Sequence, residues 1–324
     1  MASSQQPRYL KYAPLSLDEI SQISKTELLV AGIRLNVFAL DQWKSNSAKR
    51  TVSVLFMLHG RRGTADTIDS LCYRLASLNN SASRSKYRDD CNYNHLIVIS
   101  FDHVNHGTRL VNEKANLTWA ENNTTHAMDM WSTQHGTARD VSNLIDVLPA
   151  YLFPNQDMDI VTKWGVCGIS LGGHSAFLAL AADSRITVGI PIIGSASYTT
   201  LITHRAKTSN IPLASPYLPT HFLATLSNLD AAVQPASRFR GKRILVLNGG
   251  NDNLVPAAHN ERFLQGLREE GFTDDIVRVR VVEGAGHEVV EEMVEELEIW
   301  VGKWLVESWD GKGRSDSGTL AAKL

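Results

Sequence analysis

Short apolar runs separated by amphipathic helical stretches are the feature that most constrains the fold of this chain. The runs are rich in β-branched residues and lie at 26–40, 52–60, 95–103, 161–168, 186–194, 242–250 and 275–284. Runs without polar alternation are typical of strands buried on both faces, and helical segments between them favour right-handed crossovers. We therefore expect one α/β domain whose sheet is parallel apart from its first strands. These first strands are the two halves of 26–40, which Gly32 separates.

Helices are predicted between these runs, at 64–79, 137–153, 170–183 and 257–271, with a last helix at about 287–308. The last segment carries its apolar residues at the spacing of one helical stripe, so we assign those residues to the core. The stretch 194–241 does not follow the alternation and contains four prolines. We expect it to form a small lid or helical insertion over the carboxyl ends of the strands, where such sheets bind ligands.

Composition excludes several function classes. The chain has 43% hydrophobic and 20% charged residues, with a net charge of -2, which predicts a globular protein without general attraction to nucleic acid or to an anionic membrane. Three scattered cysteines, Cys72, Cys91 and Cys167, are too few for a disulfide framework or a zinc site. Because no run has the length of a signal-peptide core or a membrane span, we expect an intracellular protein with no membrane span.

The two ends of the chain differ from the central part. We expect an N-terminal extension at 1–25, the α/β domain at 26–308 and a polar tail at 309–324 that ends in Ala322, Lys323 and Leu324. This ending resembles the small-basic-leucine variants of the peroxisomal targeting signal, which an import receptor reads from a free C-terminus. The resemblance implies a peroxisomal location with the import receptor as a partner, and the cytoplasm is the alternative.

The sequence GISLG at 168–172 carries the strongest chemical signal. It matches G-x-S-x-G between an apolar strand and an alanine-rich helix, and its glycines allow Ser170 to occupy a strained turn that projects the hydroxyl. A serine hydroxyl needs a histidine to accept its proton and a carboxylate to hold that histidine. Asp252 and His287 follow later strands in the required order. We therefore predict a Ser170-His287-Asp252 triad.

An oxyanion hole is expected from two backbone amides near this serine. One amide is that of Leu171, directly after the nucleophile, and the other is that of Arg61 in the sequence LHGRRG, where Gly60 shapes the turn. With this ordered set the chain resembles the α/β-hydrolase superfamily of serine hydrolases over roughly 26–308. The resemblance implies an α/β-hydrolase fold. It also implies hydrolysis through an acyl-enzyme intermediate, without a cofactor.

The segment 121–135 offers a second group of side chains. His126, Asp129 and His135 raise the alternative of a metal site, but their spacing matches no strong ligand pattern. We interpret the segment as pocket wall and expect no metal. We predict that Asp102 and His106 are mostly structural, and that His174 packs beneath the site. The predicted substrate pocket comprises His59, Gly60, Arg62, His126, Met130 and Trp131.

Charge near the predicted site bears on the substrate. Arg61 and Arg62 lie on the oxyanion loop, and 194–241 has four basic residues against a single acid, Asp230. A cationic rim attracts anionic substrates. We expect a serine hydrolase acting on a small acyl substrate, either a carboxylic ester, a lactone or an acyl-CoA thioester, with anionic ones favoured. The alternatives are a peptidase of the same fold, a biosynthetic enzyme that catalyses a non-hydrolytic condensation or cyclisation, and a non-catalytic binding protein.

Overall fold

A computed structural model describes residues 7–46, 51–80, 93–156 and 160–307. The predicted tail at 309–324, with Ala322, Lys323 and Leu324, lies outside the described residues, and so does Cys91. The peroxisomal signal therefore stays a prediction. In the described part no helix has the length and apolar character that crossing a membrane requires.

The described chain contains ten strands. They are β1 (Leu10–Lys11), β2 (Lys25–Val30), β3 (Ile33–Phe38), β4 (Val52–Leu58), β5 (His95–Phe101), β6 (Val161–Ile169), β7 (Ile186–Ile192), β8 (Arg243–Gly249), β9 (Val277–Val282) and β10 (Val289–Val290). Eight of them form one sheet in the order β2-β3-β5-β4-β6-β7-β8-β9. The pairs β2–β3 and β3–β5 are antiparallel and the other pairs are parallel. The prediction of a sheet that is parallel apart from its first strands is confirmed.

The helices cover both faces of this sheet. They are α1 (Leu17–Ser21), α2 (Leu40–Ser45), α3 (Asp69–Ala76), α4 (His126–Leu152), α5 (Leu171–Ala182), α6 (Tyr198–Thr208), α7 (Thr220–Leu229), α8 (Glu261–Glu269) and α9 (Glu291–Val301), which continues into a π-helical turn, Gly302–Val306. Side chains of β4 alternate between the two cores: Phe56 belongs to the core that contains residues of α4, α5 and α8, whereas Met57 belongs to the core that contains residues of α3 and α9. Burial on both faces explains why these strands are continuously apolar.

Four helices begin at residues clearly different from those predicted. Helices α3 and α8 begin at Asp69 and Glu261, because 3-10 turns at Ala65–Ile68 and Ala257–Asn260 precede them. Helix α4 begins at His126 instead of 137, because its first turns bury Ala127, Met130 and Trp131 against the core. Helix α9 begins at Glu291 instead of about 287, because Val289 and Val290 form β10 and pair in parallel with β1. His287 therefore lies in a loop.

The stretch between β7 and β8 contains the two helices α6 and α7 followed by short helical turns. It packs on the start of α4, since the Tyr198 hydroxyl donates to the Ala127 carbonyl at 2.6 Å. Asp230, whose side chain is buried, accepts from the Tyr198 and Thr199 amides at 3.0 and 2.9 Å and so fixes the beginning of α6. These contacts attach the insertion to the helix that carries Met130.

Candidate active site

Ser170 lies in a strained turn between strand β6 and helix α5. Its φ is +55° and its ψ is -109°, a conformation that is costly for a residue with a side chain and that persists only where surrounding contacts enforce it. Two such contacts are present: the Ser170 amide donates to the Ile192 carbonyl at 2.8 Å, and the Gly172 amide donates to the His59 carbonyl at 3.1 Å. The turn is therefore held on both sides by neighbouring strand ends.

The glycines of the motif are required by close backbone approach. A Cβ at Gly168 would lie 2.1 Å from the Gly172 carbonyl oxygen, and a Cβ at Gly172 would lie 2.3 Å from the Leu58 carbonyl oxygen. Both contacts are with backbone, which cannot move aside without displacing a central strand or the helix. The G-x-S-x-G pattern in this chain thus has a steric cause at both glycines.

The three predicted triad residues form one continuous hydrogen-bonded chain. His287 Nε2 lies 2.8 Å from Ser170 Oγ, and His287 Nδ1 lies 2.7 Å from Asp252 Oδ2. The second oxygen of Asp252 accepts the Leu254 and Val255 amides, both at 2.9 Å. Because an ionised carboxylate only accepts, Nδ1 must carry the proton that it donates, and Nε2 is left to accept the serine proton. The geometry fits a nucleophile, a base and an acid that orients the base.

The loops that carry Asp252 and His287 are fixed to each other. The Gly250 amide donates to the Val282 carbonyl and the Asn251 amide to the Ala285 carbonyl, each at 2.8 Å. Adjacent parallel strands β8 and β9 end side by side, which brings their following loops together. The side chain of Asp252 is fully shielded from solvent, whereas that of His287 is 22% exposed. The base is therefore accessible and its orienting acid is not.

The predicted oxyanion amides belong to residues that share one small cavity. Arg61 and Leu171 line it, together with His106, Ala115, Asn116, His126, Met130 and Thr133, and its volume of about 10 Å³ has room for about one water molecule. Leu171 is the first residue of α5, so its amide also lies at the positive end of the helix dipole. The arrangement suits an acyl oxygen that becomes negatively charged.

The structure places some of the predicted pocket residues at this cavity and others away from it. Of these, His126 and Met130 line the cavity, whereas His59, Gly60, Arg62 and Trp131 are outside its lining. Trp131 is buried and stacks on His135, with ring centroids 5.5 Å apart. The exposed guanidinium of Arg62 donates to both oxygens of Glu121 at 2.6 Å, which lowers the pKa of Glu121 to about 2. The positive charge of Arg62 is therefore compensated by the carboxylate of Glu121.

His59 is fully buried and shapes the oxyanion loop from within. Its Nδ1 donates to the Gly60 carbonyl at 2.8 Å, and its Nε2 accepts the His103 amide at 3.0 Å. Burial lowers the pKa of His59 to about 4, so the ring is neutral at physiological pH. His103 returns the contact by donating Nε2–H to the His59 carbonyl at 2.8 Å. These two rings fix the backbone from which the Arg61 amide projects.

Other candidate side chains are engaged in structural contacts. Asp102 accepts the Ala65 and Thr108 amides at 2.8 and 2.7 Å. His174, which lies in the helix that follows Ser170, accepts the Ser195 amide at Nδ1 at 2.8 Å. Asp129 accepts from Asn123 and Thr125. Among the described residues, no group of three or more histidine, cysteine, aspartate or glutamate side chains could hold a metal ion.

Arg205 on α6 is a site residue that sequence reasoning did not single out. Its Nη1 lies 3.4 Å from Met130 Sδ, and its Nη2 donates to the Leu254 carbonyl at 3.3 Å, two residues after Asp252. It therefore connects the cavity wall to the loop of the acid. The sequence counts it as one of several basic residues in the insertion, and no local pattern distinguishes it from exposed Arg238.

Solved structures share this arrangement of strands and helices. TT1662 from Thermus thermophilus, 20% identical, superposes with a TM-score of 0.61 over 87% of this chain and 98% of its own. The chain has an α/β-hydrolase fold. An acylaminoacyl peptidase from Pyrococcus horikoshii, 13% identical, superposes at 0.56 over 90% of this chain and 43% of its own. Est1E from Butyrivibrio proteoclasticus, solved with ferulic acid bound, is 16% identical and superposes at 0.50 over 86% of this chain and 97% of its own.

These likenesses concern the hydrolase fold alone, since every identity quoted is 20% or lower. No protein-family model matches the chain, and no curated protein is similar enough in sequence to match. The geometry of the site is therefore the basis for any inference about activity.

Proposed function

We propose that this protein is a cofactor-free serine hydrolase that cleaves a carboxylic ester, a lactone or an acyl-CoA thioester. The observation that carries the proposal is the unbroken hydrogen-bonded chain from Ser170 through His287 to Asp252, with the serine in a turn of positive φ. A binding protein has no use for an oriented base against a strained serine. This chain shares the α/β-hydrolase fold with an acylaminoacyl peptidase, and that fold is compatible with the proposed chemistry.

The proposed reaction follows from the hydrogen bonds. His287 Nε2 accepts the proton of Ser170 while Oγ attacks the acyl carbon, and the buried carboxylate of Asp252 stabilises the imidazolium that forms. The Leu171 and Arg61 amides donate to the oxyanion of the tetrahedral intermediate. His287 then protonates the leaving group, and in a second half-reaction it deprotonates the water that releases the acid from Ser170.

Hydrolysis of p-nitrophenyl butyrate by the wild type and by Ser170→Ala tests this proposal. We expect the substitution to lower kcat by roughly 10⁴-fold or more, because it removes the nucleophile. Ser227→Ala, an exposed serine on α7, is the matched control and keeps its rate. A fluorophosphonate probe should label Ser170 in the wild type. Full activity of Ser170→Ala, or labelling elsewhere, would exclude the mechanism.

The same groups can attack a peptide bond, and a substrate panel separates these classes. Esters, lactones, acyl-CoA thioesters and aminoacyl amides are compared by release of acid, thiol or amine from equal concentrations of enzyme. We expect Ser170-dependent turnover of the first three. Turnover confined to amides would identify a peptidase instead, and inactivity on all four despite probe labelling would favour the non-hydrolytic alternative.

A further inference from the structure

Two largely buried arginines near the candidate nucleophile lack an acidic partner among the described residues. Arg61 Nη1 and Arg205 Nε are buried and make no hydrogen bond. Neither guanidinium forms an ion pair with any acid in 7–46, 51–80, 93–156 or 160–307. By contrast, the half-buried guanidinium of Arg74 contacts both Glu291 and Glu298. Unpaired charge that is removed from water is costly, so such a pair of cations calls for a counter-charge.

Both arginines lie against the cavity at the candidate oxyanion hole. Arg61 lines it directly, and Arg205 Nη1 touches Met130, which lines it as well. Burial lowers the pKa of His126, a further lining residue, and the charges of Arg61 and Arg205 lower it further. Burial lowers the pKa of Arg205 to about 10, with Arg61 as the next cause. The positive charges of Arg61 on the oxyanion loop and of Arg205 on the insertion therefore both lie close to this cavity.

The nearby acids already have other partners. Asp252 uses both oxygens within the triad loop, Glu121 is paired with Arg62, and Asp129 accepts from Asn123 and Thr125. No carboxylate is among the cavity-lining residues that the structure describes. Among the described residues, no carboxylate is therefore left to pair with Arg61 or Arg205.

We propose that Arg61 and Arg205 form a carboxylate-binding subsite, so that the substrate is an ester or thioester that carries a second, free carboxylate. This inference rests on the proposed function, whose acyl carbon would be attacked beside the subsite. Two guanidinium groups match the planar, two-oxygen shape of a carboxylate. The cavity of about 10 Å³ has room for about one water molecule, so a carboxylate enters the subsite only when the two guanidinium groups move apart to admit it.

Matched substrates test the subsite. The p-nitrophenyl monoester of glutaric acid and p-nitrophenyl butyrate present similar chains with and without a carboxylate, and 4-butyryloxybenzoate carries the charge on the alcohol side. We expect the wild type to prefer one of the two charged esters. In Arg205→Gln, the ratio of kcat/KM for that ester to kcat/KM for the neutral one should fall by roughly 10- to 100-fold, mainly through KM. Arg61→Gln, which keeps the backbone amide, should lower the same ratio.

Arg238→Gln is the matched control, because Arg238 is exposed on the same insertion and lies away from the cavity lining. It should leave the ratio unchanged. A wild type that hydrolyses all three esters through Ser170 with no change of ratio in Arg205→Gln would overturn the subsite and leave the proposed function standing. A dependence on Arg205 confined to acyl-CoA thioesters would place the phosphates of CoA there and would overturn the carboxylate assignment.

A binding measurement tests the subsite even if no ester is turned over. Calorimetry of monomethyl glutarate with Ser170→Ala should show binding that the added Arg205→Gln substitution weakens at least tenfold and the added Arg238→Gln does not. Neutral dimethyl glutarate should bind more weakly than the monoester to Ser170→Ala. Equal binding of the charged and neutral compounds would overturn the inference, whatever the outcome of the ester assays.

Discussion

The triad and the wall of the neighbouring cavity use polar side chains in opposite ways. In the triad every oxygen and ring nitrogen has a partner within the chain, down to the two amides that donate to Asp252. At the wall, Arg61, Arg205 and His106 each keep a buried nitrogen without one. Under the proposed function, the complete network is preorganised for the reaction and the incomplete one is completed by the carboxylate of the substrate. The two proposals thus assign catalysis to the first set of side chains and substrate selection to the second.

Of the tests that follow, substitution of Asp252 should have the largest effect, because it removes a hydrogen bond within the triad. In Asp252→Asn the amide oxygen can still accept the Leu254 and Val255 amides, which points the NH₂ group at His287 Nδ1. His287 must then carry its proton on Nε2 and cannot accept the serine proton. We expect kcat for p-nitrophenyl butyrate to fall by roughly 10⁴-fold with the fold retained. Exposed Asp275→Asn is the control, and a loss below tenfold would contradict the assigned orientation.

Acid should destabilise the folded chain around the candidate site through two buried histidines outside the triad. Burial lowers the pKa of His59 to about 4 and that of His174 to about 3. In the unfolded chain these rings bind protons below about pH 6.5, so the unfolded state takes up more protons there and the free energy of unfolding falls as pH falls. We expect each ring to contribute of the order of 2 kcal/mol to this loss between pH 6.5 and 5.

Urea unfolding at several pH values measures this loss. His174→Gln should reduce the slope of unfolding free energy against pH in that window, and exposed His221→Gln should not. Equal slopes in the wild type and His174→Gln would mean that His174 already carries its proton in the folded state.

The smallest expected effect sharpens the other side of the comparison. Replacement of Arg205 by Met removes a charge that lacks a partner but keeps much of the side-chain volume, so we expect the free energy of unfolding to rise by about 1 kcal/mol. Arg74→Met should have the opposite sign, because it leaves Glu291 and Glu298 without their cation. Thermal unfolding of both variants measures the difference. Destabilisation by Arg205→Met would show that its guanidinium is already satisfied without ligand.

Local patterns suffice for much of the fold because the central strands are buried on both faces. Continuous apolar runs and their helical spacers predict the sheet, and the G-x-S-x-G stretch predicts the turn because Gly168 and Gly172 each meet backbone. The order of the strands then brings the loops of Asp252 and His287 to one end of the sheet. These features depend on residue type and sequence order, which a single sequence displays.

Features that depend on distant contacts were not predictable in the same way. Gly136 and polar neighbours interrupt the pattern of α4, and only packing against Val104, 3.0 Å from where a Cβ would lie, shows why a glycine is tolerated inside that helix. The start of α9 depends on strand pairing with Leu10 and Lys11. Arg205 and Arg238 have the same side chain, and their different surroundings arise only when α6 docks on α4.

The pairing of β1 with β10 bears on when the candidate site is completed during folding. Beside that pairing, the Val289 amide donates to the Tyr9 carbonyl at 2.7 Å, two residues after His287. The loop of the proposed base is thus anchored by a segment that precedes the eight-stranded sheet in the chain, whereas the loop itself follows that sheet. Because chains emerge from their N-terminus, this anchor forms only after most of the sheet has been synthesised. We expect esterase activity to appear at the last stage of folding, after the elbow at Ser170 is in place.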